Sequence, residues 1–166
     1  MPIVSFSDLP DSARVWVFAS DKPLAGATAD TLLASVDRFL SEWRAHGVPL
    51  HCAREWRDDR FLAVGVDVNE ENASGCSIDG LFRTLQQLEK EIGSRLVGGG
   101  RVFYRTASGI EATPRNEFVE RVKRGDIARE TLVFDTSLTS AADWRSKFEL
   151  PADAGWTAGF FATSHS

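Results

Sequence analysis

The stretch L-H-C-A-R-E-W-R-D-D-R-F-L-A-V-G-V-D-V, residues 50–68, decides the fold. Residues 50–57 and 60–68 read as two strands, with Leu62, Val64, Val66 and Val68 alternating onto one face. The charged run Arg57-Asp58-Asp59-Arg60 between them marks a hairpin tip. Cys52 shares parity with Leu50 and Trp56, so it belongs on the core side.

Working outward, R-V-W-V-F-A at 14–19 is short, β-branched and aromatic between polar flanks, the pattern of a buried strand. Over 29–46 the period changes. Leu32, Leu33, Val36, Phe39, Leu40 and Trp43 form one helical stripe, with Thr28 or Asp30 to cap its start and Gly47 to suit its exit. Beyond the hairpin, Ile78, Leu81, Phe82, Leu85, Leu88 and Ile92 predict a second amphipathic helix over 77–92, closed by Gly93. A strand at 101–106 follows. The order β-α-β-β-α-β predicts an α+β fold, a ferredoxin-like sandwich over 1–97 completed by strand 101–106.

Residues 107–150 read as a small appended α/β module. Thr113-Pro114 opens a short helix with proline at its first position, Gly125 ends it, 131–134 is a strand, and a helix around 139–148 carries Trp144 and Phe148. The segment 151–166, rich in Gly and aromatic residues, predicts an irregular arm packed on the body or on a partner chain.

The totals bound the function. With 43% hydrophobic and 26% charged residues over 166 positions, the chain can bury a core without staples. A net charge of −5 disfavours nucleic acid and anionic membranes as partners, both of which demand concentrated Lys and Arg. The most basic stretch, 120–130, mixes Arg121, Lys123, Arg124 and Arg129 with Glu120, Asp126 and Glu130, as on a solvated helix face. No basic start with a following apolar run is visible, so a cytoplasmic location is expected. Two cysteines, Cys52 and Cys76, are too few for a disulfide framework.

A-S-G-C-S-I-D at 73–79 sets Cys76 at a helix start, where unpaired amides and the helix dipole favour a thiolate. Those pieces admit two readings. In one, Ser74, Cys76 or Ser77 caps the helix and Asp79 complements its dipole. In the other, Ser74, Gly75, Cys76, Ser77 and Asp79 form a ligand pocket, or Cys76 acts as nucleophile with His46 as base and Asp79 as orienter. Zinc is disfavoured, because His51 and Cys52 are adjacent on a strand and point to opposite faces. The acidic run 67–78 lacks Gly at its sixth position and Glu at its twelfth, which removes an EF-hand. G-x-S-x-G, H-E-x-x-H, C-x-x-C and G-x-G-x-x-G are all absent. No cofactor is implied. Trp144 and Trp156 are the candidate partner-binding residues, Trp56 beside the charged hairpin tip also fits an interaction surface, and core packing is the alternative for any one of them.

F-S-D-L-P-D-S-A-R-V-W-V at 6–17, W-R-A-H-G at 43–47, A-S-G-C-S-I-D, T-L-V-F at 131–134 and the ending L-P-A-D-A-G-W-T-A-G-F-F together resemble an uncharacterised family of small bacterial proteins. Its members often carry the label "ABC transporter ATPase". The resemblance spans nearly the whole chain and implies no particular activity. Nucleotide hydrolysis is excluded on chemistry: none of the lysines, at 22, 90, 123 and 147, follows a glycine, so the phosphate loop G-x-x-x-x-G-K-[ST] is missing. Over 101–148 the chain also resembles small GYF-like modules, whose known members bind proline-rich peptides. Gly125, Ile127, Thr131, Val133, Phe134 and Trp144 carry that likeness, and the Gly-Tyr-Phe tripeptide is absent.

The expectation is a non-catalytic cytoplasmic protein that binds a protein, a peptide or a small anionic ligand, with self-association compatible. The alternative is a thiol-dependent enzyme or redox sensor using Cys76.

Overall fold

The computed structural model describes residues 5–45, 48–49, 51–67, 78–96 and 100–162. The chain is α+β and divides into two compact units, Met1–Gly98 with Ser137–Trp144, and Gly99–Thr136 with Arg145–Ser166.

In the first unit a 3-10 turn, Phe6–Asp8, precedes β1 (Arg14–Ala19) and α1 (Ala27–Glu42). A two-residue ladder, β2 (Arg44–Ala45) with β3 (Val48–Pro49), leads to β4 (Cys52–Arg57), β5 (Phe61–Val66) and α2 (Asp79–Ile92). The sheet order is β1-β5-β4, antiparallel throughout, with Trp16 opposite Val64 and Cys52 opposite Val66.

Alternation gives the sheet two different faces. Phe18, Cys52, Leu62, Val64 and Val66 meet Leu32, Val36 and Leu40 of α1 and Leu81, Leu85 and Leu88 of α2 in one core. The helices approach closely because Gly80 has no side chain: a Cβ there would lie 2.9 Å from the Phe39 ring. On the other face Ala53, Ala63 and Gly65 are small. They leave room for Phe6 and Leu9, and a Cβ on Gly65 would sit 2.6 Å from Leu9 Cδ1. Residues 139–142 run beside 11–15, with the Val15 and Ala141 amides donating to the carbonyls of Thr139 and Ala13.

Several local expectations change. α1 starts after Gly26, at φ 61°, with no side-chain cap, and Thr28 and Asp30 lie inside the helix. It ends at Glu42 because Trp43 turns extended and packs, 5% exposed, against Trp16 and Phe39. Gly47, Leu50 and Val68 lie outside the described residues. Gly93 does close α2, at φ 71° and ψ 29°. At the hairpin tip Asp58 and Asp59 both have positive φ, 57° and 58°, and the Arg60 amide donates to the Arg57 carbonyl, as in a type I′ turn. Arg60 itself is buried: Nη1 donates to the carbonyls of Ser20 and Asp21, and desolvation lowers its pKa against the pull of Asp21.

The second unit holds β6 (Arg101–Thr106), β7 (Gly109–Pro114), α3 (Arg115–Lys123), β8 (Leu132–Phe134), β9 (Glu149–Pro151) and the short α5 (Gly159–Ala162). α4 (Ala141–Lys147) spans the point in sequence where the units divide. The sheet of the second unit has the order β7-β6-β8-β9. The strand expected to complete the first sheet, 101–106, is therefore a member of the second. The physical reason is local: Ala107 and Ser108 form a tight turn, and Gly109 follows it at φ 130°, so β6 pairs at once with β7. Pro114 precedes α3 as its N-cap rather than occupying its first position. The closing arm is more regular than expected, contributing β9 and α5, with Ala152, Thr157 and Phe161 buried.

Candidate interaction surface

Of the residues singled out in the sequence, Cys76, His46, Ser74, Gly75 and Ser77 lie outside the described residues. Asp79 is exposed in the first turn of α2, whose N-cap Ile78 offers no side-chain bond. Cys52 is fully buried, its Sγ 3.5 Å from the Leu40 carbonyl, and burial pushes the thiol up to about 12. It is a core residue. Among the described residues no group of three His, Cys, Asp or Glu is placed to hold a metal.

Trp144 does not face solvent. It is 3% exposed, its Nε1 donates to Glu55 Oε1 at 3.0 Å, and Phe6 meets its ring edge-on at 6.4 Å. The reason is the small-residue face of the first sheet, which needs a large cover. Trp56 is partly buried, and its Nε1 has no hydrogen-bond partner among the described residues.

Trp156 is different. The residue is 41% exposed, and with Leu132 at 36% it is one of two exposed large hydrophobic residues among the described residues. Several bonds nonetheless hold it still. Pro151 O accepts from the amides of Ala154 and Gly155, and Thr157 Oγ1 donates to the Ala152 carbonyl at 2.7 Å, folding the arm into a tight turn. The indole Nε1 donates to the Phe134 carbonyl at 3.2 Å, and the ring meets Phe160 edge-on at 5.9 Å.

Two cation–aromatic stacks fall on consecutive residues of α5, Arg115 over Phe160, which touches Trp156, at 5.4 Å and Arg129 over the buried Phe161 at 5.3 Å. Neither guanidinium has a carboxylate partner among the described residues, whereas Arg105 pairs with Glu149, Arg121 with Glu111 and Glu117, and Arg124 with Asp126. Phe118, buried in the core, backs Phe160 at 6.0 Å.

No family model, curated protein or solved structure matches the chain. The surface must be read from its own chemistry. Trp and Arg are enriched among the residues that carry most binding energy at protein interfaces, Trp through its large rigid ring and Arg through its planar fork of donors. The aromatic ending is visible in the sequence. The roles of Arg115 and Arg129 are not, because nothing local places them beside rings 45 and 32 positions later. No helix among the described residues is long and apolar enough to cross a membrane.

Proposed function

We propose that this chain is a non-catalytic cytoplasmic binding protein that holds a protein or peptide partner on the Trp156–Phe160–Arg115 surface of its second unit. The observation that carries the reading is the pinned exposure of Trp156: a large aromatic residue 41% exposed, with its polar tip already bonded. A ring held in place loses little entropy when covered. Arg115 and Arg129, stacked and without ion pairs among the described residues, favour a partner segment that presents carboxylates beside an apolar side chain. The likeness of 101–148 to GYF-like modules supports peptide recognition. Kinship with the small bacterial family belongs to the same proposal, as does a ferredoxin-like character for the first unit, supported by its β1-β5-β4 order.

The test places a photo-cross-linking amino acid at position 159, where an added side chain meets open space and Trp156 is kept, in cells that naturally make the protein. Discrete light-dependent adducts that disappear in an Arg115→Glu variant are expected. A protein that folds, carries the probe and yields no adduct would overturn the reading.

A further inference from the structure

The first unit carries a second feature, at the C-terminal end of α2. A groove of about 320 Å³ lies where this helix ends, lined by Asp21, Lys22, Glu89, Lys90, Gly93 and Arg95 among others. Lys22, Lys90 and Arg95 have no ion-pair partner among the described residues, in a protein whose net charge is −5. Such clustering of unpaired cations is the reverse of what the overall composition favours.

The two carboxylates of the lining are already engaged. Glu89 Oε2 accepts the Leu96 amide at 2.7 Å, and Asp21 sits in the field of the buried Arg60. The cations are organised by the fold. A Cβ on Gly93 would lie 3.6 Å from Lys22 Nζ, so the ammonium rests over the left-handed exit of α2, whose negative dipole end favours it. Lys22 is held at its backbone as well: Ser20 Oγ donates to its carbonyl at 2.5 Å and lies 3.3 Å from its amide. Ser20 Oγ also meets Ser94 Oγ at 2.7 Å, which joins the end of β1 to the residues that follow α2. Behind this floor, Arg60 is fastened to the Ser20 and Asp21 carbonyls. Lys22, Lys90 and Arg95 put three cations on one lining beside two carboxylates, and a bound oxyanion adds attraction for each of the three.

We propose that this groove is a binding site for a small multivalent oxyanion, with Lys22, Arg95 and Lys90 as its ligands. Phosphoryl and polycarboxylate groups share the required chemistry: several acceptor oxygens and at least two negative charges in a compact volume. Binding here does not depend on the Trp156 surface, so the two readings stand or fall separately.

The experiment follows backbone amide resonances of the full chain by NMR while sodium phosphate, and in a second series sodium citrate, is added at constant ionic strength. Saturable shifts at Lys22, Gly93, Ser94 and Arg95 are expected, with a Kd of about 1 mM or tighter. The double variant Lys22→Gln/Arg95→Gln, altered only at exposed side chains, should bind at least roughly tenfold more weakly, a loss of about 1.4 kcal/mol. Tighter binding of phosphate marks a phosphoryl site, and tighter binding of citrate a carboxylate site. Shifts that fail to saturate with either anion, or equal affinity in the double variant, would overturn the assignment.

Discussion

Arg54 and Asp37 meet through two parallel hydrogen bonds, Nε to Oδ1 at 2.9 Å and Nη2 to Oδ2 at 3.0 Å, which tie β4 to α1. The hydrogen bond to Asp37 raises the Arg54 pKa against the effect of burial. Lysine cannot reproduce the fork. Arg54→Lys is expected to cost about 1 kcal/mol, since the pair is only partly exposed but still screened by solvent. Urea denaturation checks this: the midpoint should fall with the slope unchanged.

The hairpin tip stores strain. Asp58 and Asp59 both occupy the left-handed region, which costs a residue with a Cβ roughly 1–2 kcal/mol. Asp59 contributes its carbonyl, which accepts the Leu24 amide at 2.8 Å, and a glycine keeps that bond. Asp59→Gly is therefore expected to stabilise the protein by roughly 0.5–1 kcal/mol after the added freedom of the unfolded chain is subtracted. An unchanged or lowered thermal midpoint would contradict the turn geometry.

Gly65 tests the packing of the N-terminal segment. Any Cβ at this position collides with Leu9 at 2.6 Å and presses on Phe6 at 3.3 Å. Gly65→Ala should destabilise by about 1–3 kcal/mol through overpacking. Trimming Leu9 to alanine in the same chain should recover part of that loss, as a double-mutant cycle would reveal.

Cys52 makes stability depend on alkaline pH. Its folded pKa, about 12, lies above the unfolded value of about 8.5, so the folded state binds more protons between them. The contribution is full below about pH 8.5 and declines as pH rises toward the folded value. Cys52→Val should flatten that decline in thermal midpoints measured from about pH 8 to 11. Iodoacetamide should leave Cys52 unmodified in the folded protein at neutral pH, because the thiolate is absent and the sulfur is buried.

Much of the first unit is legible in the sequence because its signals are local. Alternation at Leu62, Val64 and Val66 and the helical stripes through Val36 and Leu85 are consequences of backbone geometry alone. Gly93 is legible for the same reason, since a left-handed exit needs no distant partner. Trp43 fits the helical stripe yet leaves the helix, because its ring, drawn to Trp16 and Phe39, outweighs the helix period. Trp144 is a candidate partner-binding residue in the sequence, and what covers it is not legible there because its partners Glu55 and Phe6 lie 89 and 138 positions away.

By itself, the sequence determined the α+β class, the central hairpin, the two amphipathic helices, the absence of a phosphate-binding loop and the aromatic character of the closing arm. These follow from residue period, turn chemistry and motif spacing, each readable within a dozen or so positions. Only the tertiary structure decided that Arg101–Thr106 joins a second sheet, that Trp144 is covered while Trp156 is exposed, and that Lys22 is brought to Gly93 and Arg95. Strand partners and charge neighbours are chosen by contacts between distant segments, and no local pattern records which of several compatible edges or faces gains the most on folding.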